Sequence, residues 1–191
     1  MAQFLCRVCD NSSGWVFPTG SARETISSHY GNFGFAYEEW NFNPGLLKNG
    51  WQYGWLEAFN PGPGKRLIAP GPHDILLYVW RGGAAFAIGR INKCEKLNVG
   101  VGIVYPHAFV AQANAAGASI KALVSGWNVT PVVRHPRMQT YSQIPRANMR
   151  FSLENANLLN FHIPIPINYT RYGGLLVTPN SQLSQIWNMV P

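Results

Sequence analysis

Residues 32–59 read NFGFAYEEWNFNPGLLKNGWQYGWLEAF and hold three of the seven tryptophans and three of the eight acidic residues of the chain. Asn49-Gly50 lies between two apolar runs, which predicts a β-hairpin that pairs a strand at 37–43 with one at 51–59. The aromatic rings of this hairpin either fill a core or line a pocket for a flat polar ring, whose edge acids and amides could read.

Hydrophobic periodicity outside this stretch predicts further strands and a few short helices. The predicted strands are at residues 3–9, 74–80, 84–92 and 147–153, the second and third joined by a turn at Arg81-Gly82-Gly83. Capping signals and composition predict helices at residues 21–30, 106–124 and 181–189. The sequence therefore predicts one β-rich α+β domain with a strongly bent sheet or a barrel. We expect the domain at 1–163 and a Pro/Asn-rich extension at 164–191.

The composition is that of a folded domain without a membrane segment. The chain has 191 residues, of which 47% are hydrophobic and 12% charged, so it can bury a core without metals or disulfides. No apolar run approaches the roughly 20 residues of a membrane span. The start, MAQFLCRVCD, lacks the features of a signal peptide, and three cysteines fit a reducing compartment. We expect a cytoplasmic protein.

The net charge of +7 is unevenly distributed. Residues 121–191 contain six arginines and lysines but only one acidic residue, Glu154. Such an excess attracts polyanions, chiefly through phosphate contacts. The residues that we expect to contact a nucleic-acid backbone are Arg90, Lys93, Arg146 and Arg150.

No catalytic or metal-binding constellation is evident in the sequence. Cys6 and Cys9 form a CxxC pair, but a structural zinc site needs four ligands, and we expect the two side chains on opposite faces of a strand. Glu38 and Glu39 would also point to opposite faces of a strand, which makes them a poor acid–base pair. We therefore expect a binding protein that is not an enzyme and uses no metal or other cofactor.

Several blocks of the sequence resemble a known family. They are WVFPTG at 15–20, GFAYEEWNF at 34–42, WQYGWL at 51–56, IGRINKCEKL at 88–97 and NMRF at 148–151. Together they resemble the N-terminal specificity domain of HNH endonucleases in modification-dependent restriction systems, whose second block has the form GFGHEEWLF. Tyr37 stands where the family has histidine, and no HNH block follows Phe151.

The resemblance implies a reader of a modified base, foremost a modified cytosine in double-stranded DNA. It also implies a fold similar to the PUA-superfamily readers (SRA, YTH and EVE domains), and a nuclease that is fused or supplied as a separate subunit. Such readers flip the nucleotide into an aromatic pocket, because a base within a duplex shows only its edges. The residues expected to form the pocket walls are Trp40 and Trp55, with Tyr37, Trp15 and Tyr53 behind them. Those expected to read the base edge are Glu38, Glu39 and Asn41, since a carboxylate suits the exocyclic amine of cytosine.

Three alternatives remain open at this point. An RNA-binding domain of the same superfamily would also use stacking and a basic rim. A small nuclease or hydrolase, or a viral structural protein, would fit the composition as well. Trp40 and Phe42 would face one way on a strand while Glu39 and Asn41 face the other, so one of the two sets could belong to the core.

Overall fold

The computed structural model describes residues 1–16, 19, 37–60, 68–97, 147–169 and 173–191. These residues form an α+β structure with one mixed sheet of eight strands and one α-helix. The elements are β1 (Ala2–Arg7), β2 (Leu47–Lys48), β3 (Trp51–Gly54), β4 (Gly71–Arg81), β5 (Ala84–Lys96), β6 (Met149–Phe151), β7 (Ala156–Ile165), β8 (Gly174–Leu176) and α1 (Gln182–Met189). The β-rich α+β class predicted from the sequence is confirmed. The helices predicted at 21–30 and 106–124 lie outside the described residues.

The strand order is β2-β3-β6-β5-β4-β1-β8, and β7 also pairs with β5. The β1–β4 pair is parallel, whereas the other pairs are antiparallel. The terminal strands β2 and β8 do not pair with each other, so the sheet is open over the described residues. The predicted barrel is therefore not observed there. No helix in this part of the chain is long and apolar enough to cross a membrane.

The long β4–β5 hairpin forms the centre of the sheet and confirms the predicted strands. Its turn places Gly82 and Gly83 at φ values of 57° and 83°, as a two-residue type I′ turn requires. The run from Ile75 to Val79 is buried on both faces, because the sheet is covered on both sides. The first face includes Ile75 and packs on a cluster with Leu56 and Phe151. The second face is partly covered by α1.

The Asn49-Gly50 turn is also confirmed, but the strand predicted before it is wrong. Asn49 and Gly50 have φ values of 52° and 80°, and Lys48 pairs with Trp51 across the turn. Residues Tyr37–Trp40 and Pro44–Leu46 instead form two short 3-10 helices. The Asn43 side chain caps the second by accepting the amide N–H of Gly45, and a proline at its first position cannot donate to a strand ladder.

The C-terminal residues are part of the sheet and of the core. β8 pairs with β1 and so covers the edge of β1 that would otherwise be exposed. The predicted C-terminal helix is confirmed as α1, and its N-cap Ser181 accepts the amide N–H of Ser184 at 3.2 Å. Ile186 and Trp187 of α1 pack against the second face of the sheet. β7 was missed in the sequence and runs across the domain boundary expected at residue 163.

Candidate nucleic-acid interface

Four residues of the predicted pocket lie in the interior, in and beside the first 3-10 helix. They are Glu38, Glu39, Trp40 and Asn41, which we call the EEWN hub; their exposed fractions are 3%, 0%, 1% and 1%. A helical turn directs adjacent side chains to different neighbours, so both carboxylates can be buried at once. A strand would have placed them on opposite faces. The hub joins segments that are distant in sequence.

Glu38 connects the end of β1 to the chain after β3. Its Oε2 accepts the amide N–H of Cys9 at 3.0 Å, and its Oε1 accepts that of Glu57 at 3.1 Å. Burial raises the pKa of Glu38 from 4.5 to about 8, although these two hydrogen bonds and the charge of Arg7 act in the opposite direction. The raised pKa favours the neutral carboxyl, which holds two loops together in the interior.

Glu39 and Trp15 lock the loop that follows β1. The Oε1 of Glu39 accepts hydrogen bonds from the Asn11 side-chain amide at 3.0 Å and from the Thr19 backbone at 3.1 Å. The Trp15 indole donates to the Cys9 carbonyl at 3.0 Å, and its ring is buried. Glu39 and Trp15 thus hydrogen-bond within the protein, and we interpret the EEW block as one that holds loops of the fold together.

The Asn41 side chain holds the backbone at Trp55 through two hydrogen bonds. Its amide accepts the N–H of Trp55 at 2.8 Å and donates to the carbonyl of Trp55 at 3.0 Å. Asn148 makes the same pair of bonds to Leu56, both at 2.8 Å. The two side chains replace a neighbouring strand where β3 ends, and so hold the backbone of Trp55 in place.

The buried Glu38 carboxyl predicts a pH dependence of stability. Because its pKa is raised in the folded state, the native protein keeps a proton that the unfolded chain releases. This contribution to the free energy of unfolding is complete below pH 4.5 and is lost as the pH rises to about 8. Urea unfolding at several pH values should show this slope for the wild type and for the exposed-site control Glu154→Gln, but not for Glu38→Gln. The same slope in Glu38→Gln would contradict the assignment.

A second group of aromatic residues lies on β3 and just after it. From Trp51 to Leu56 the side chains alternate between half-buried and buried. Trp51 and Tyr53 share one face of β3, and Trp55, directly after the strand, is half-buried as they are; we call these three residues the aromatic row. Gln52 between them is buried, and Gly54 has no side chain. Tyr53 and Trp55 were predicted pocket residues; Trp51 was missed, although the alternation W-x-Y-x-W could have indicated it.

Arg150 and Glu95 continue this surface across the sheet. Tyr53 pairs with Arg150 on β6, which pairs with Glu95 on β5. The Arg150 guanidinium lies 4.4 Å from the centroid of the Trp51 ring. Its Nε and Nη2 both lie 2.6 Å from the Oε2 of Glu95, and each side chain is 33% exposed. The hydrogen bond to Glu95 is the main cause that raises the pKa of Arg150.

Two exposed lysines lie on the strands that flank β3 and β6, namely β2 and β5. Lys48 is exposed and pairs directly with Trp51, which places the two side chains on one face. Lys93 lies in a β-bulge, where Asn92 and Lys93 together oppose Asp74. Lys93 adopts a φ of 53°, and its amide donates to the Oδ1 of Asp74 at 3.0 Å. Asn92 and Lys93 are both exposed in this bulge.

Arg90 lies elsewhere than we expected for a phosphate contact. Its Nη2 donates to the carbonyls of Trp187 and Val190, and its guanidinium lies 4.7 Å from the centroid of the Trp187 ring. Arg90 therefore satisfies carbonyl groups at the C-terminal end of α1, which have no partners within the helix. The backbone of Tyr37 begins the first 3-10 helix, while Arg146 lies outside the described residues.

The three cysteines are free and buried. Cys6, Cys9 and Cys94 pack in one core cluster, and burial raises the pKa of each thiol. The expectation that Cys6 and Cys9 face opposite sides is wrong, because β1 ends at Arg7 before Cys9 is reached. Within the described residues, no group of three or more His, Cys, Asp or Glu side chains is placed to hold a metal ion.

No family model, curated protein or solved structure matches this chain. The resemblance to the specificity domains of HNH endonucleases therefore stays a prediction from sequence.

Proposed function

We propose that this protein binds DNA and recognises a modified base, in the first place a modified cytosine, as the specificity module of a restriction or defence system. The observation that carries the proposal is the aromatic row beside Arg150. In this proposal the chain reads the base without cutting the strand, and a fused or separate nuclease does the cutting. A PUA-like arrangement of the whole domain is part of the same proposal.

The spacing of the aromatic row suits a stacked base. Side chains two residues apart on one face of a β-strand are separated by about 6.8 Å. This is about twice the 3.4 Å spacing between successive nucleotides along one strand of DNA. The Arg150 guanidinium covers the Trp51 ring, so we assign the stacked base to the other two rings of the row, Tyr53 and Trp55. A flipped base between these two rings would have an aromatic face on either side.

The charges around the row suit a phosphate backbone. Lys48 lies on β2 beside the row and Lys93 on β5, two residues from Glu95, and both lysines are exposed. Arg150 lies on β6 between β3 and β5, and Glu95 offsets its charge. Phosphate contacts supply affinity without sequence information, whereas stacking and edge contacts discriminate between bases. In this proposal the aromatic row discriminates between bases, and the lysines supply affinity through phosphate contacts.

The proposal is tested by equilibrium binding to duplexes that differ at one base. We expect several-fold tighter binding to a duplex with 5-methylcytosine or 5-hydroxymethylcytosine than to the unmodified duplex, and a steep loss of affinity as salt rises. Fluorescence anisotropy at several salt concentrations measures both. Equal affinity for all duplexes would overturn the recognition of a modified base. Tighter binding to a modified RNA of the same sequence would favour the RNA-binding alternative instead.

A further inference from the structure

The ion pair between Arg150 and Glu95 uses only one of the two carboxylate oxygens of Glu95. Arginine often binds a carboxylate through two parallel bonds, one to each oxygen. Here Nε and Nη2 both contact Oε2, each at 2.6 Å. In the part of the chain that the structure describes, the Oε1 of Glu95 accepts no hydrogen bond. Glu95 thus offers a free, charged acceptor whose orientation Arg150 fixes.

Glu95 lies where the edge of a base stacked on the row would reach. Tyr53, Arg150 and Glu95 are in register on three adjacent strands, so Glu95 lies two strand spacings, about 10 Å, from Tyr53. The side chain of Arg150 occupies the strand between them and lies against Trp51. A base that projects from the row over β6 would direct its hydrogen-bonding edge at Glu95.

The other carboxylates near this surface already have partners. Glu38 and Glu39 are buried in the hub, where backbone and side-chain donors bind them. Glu57 accepts the indole N–H of Trp55 at 3.3 Å and the side-chain amide of Asn60 at 3.4 Å. Glu95 also has a partner, Arg150, but both of its contacts are to Oε2, whereas both oxygens of Glu38 and of Glu57 accept hydrogen bonds. Among the described residues, its Oε1 is therefore better placed to accept a hydrogen bond from a ligand.

An ionised carboxylate only accepts hydrogen bonds. It suits the exocyclic amine of cytosine or adenine, and it repels the carbonyl oxygen that thymine, uracil and guanine present at the corresponding position. We propose that Glu95 selects bases that present an amine rather than a carbonyl at this position, cytosine and adenine, and is thereby the residue through which this site prefers cytosine derivatives to thymine. This inference rests on the proposed function and names the group that carries its specificity.

The decisive comparison is 5-methylcytosine against thymine, because these bases share the 5-methyl group and differ where Glu95 would contact them. Each base is placed opposite an abasic site in the same duplex, so that neither has a pairing partner to lose. We expect the wild type to bind the 5-methylcytosine duplex about tenfold more tightly, the lower part of the range for a specific base contact. Glu95→Gln should bring the ratio close to one, because a glutamine amide can turn either its oxygen or its nitrogen to the base.

Two further variants control this experiment. Glu154→Gln removes the same charge from an exposed residue of another segment, and it should keep the wild-type ratio. Glu95→Asp keeps the carboxylate and should keep the direction of the preference. Failure of the wild type to bind any of the modified duplexes would overturn the proposed function. Binding with the same ratio in Glu95→Gln as in the wild type would overturn only the role of Glu95, as would a preference that Glu95→Asp abolishes and Glu95→Gln retains.

Discussion

Trp40→Ala is expected to lower the free energy of unfolding by about 3–5 kcal/mol. The ring is 1% exposed and belongs to the EEWN hub, so its removal leaves a cavity in the interior. Such a loss is a large part of the roughly 5–15 kcal/mol by which a domain of this kind is stable. Urea unfolding followed by circular dichroism measures it.

The matched control for this substitution is Trp55→Ala, the same change at a half-buried position. Because Trp55 is only partly buried in the native state, its truncation should cost less stability. The backbone bonds between Trp55 and Asn41 do not depend on the indole and should persist. Equal losses in the two variants would contradict the division into a buried hub and a half-exposed row.

The second large effect concerns binding. Trp55→Ala should weaken binding to the modified duplex by about 1–3 kcal/mol, the value of one base–aromatic stack. The unmodified duplex should be affected much less, because binding that flips no base makes no such stack. Anisotropy titrations of both duplexes, at a protein concentration corrected for the folded fraction, separate the two contributions.

Lys93→Ala is the matched comparison for this binding effect. Lys93 is exposed at the border of the site, and loss of one phosphate contact should weaken both duplexes about equally and reduce the salt slope by roughly one unit. A Trp55→Ala variant that is folded and keeps the full preference for the modified duplex would exclude Trp55 from the pocket.

The two aromatic groups explain why one stretch of sequence could suggest both a core and a pocket. The hub uses its carboxylates and amide to satisfy backbone groups of loops, and its contacts are internal. The row uses the alternation of β3 to leave three rings on the side of the sheet that Arg150 and Glu95 share. The chemistry inferred for Glu38 and Glu39, a carboxylate that reads an amine, is the chemistry that we now propose for Glu95.

Local patterns determined much of the fold. Gly82-Gly83 and Asn49-Gly50 predicted both turns, because positive φ at both turn positions restricts them to such residues. Alternation predicted β1, β4 and β5, and Ser181 predicted the start of α1. β7 was missed because its two faces are unequally covered along its length, which blurs any period-two signal.

The α+β class, the two tight turns, the basic charge and the concentration of aromatic and acidic residues at 32–59 follow from the sequence. Which of these residues are buried and which are accessible to a ligand depends on tertiary contacts. The buried carboxyls of Glu38 and Glu39 accept hydrogen bonds from Cys9, Asn11 and Glu57, which lie 19 to 29 residues away in sequence. Arg90 and Arg150 look alike in sequence, yet one binds the end of α1 and the other lies beside the row. The reason is that side-chain environment is set by contacts between distant segments, whereas turns and strands are set by neighbours.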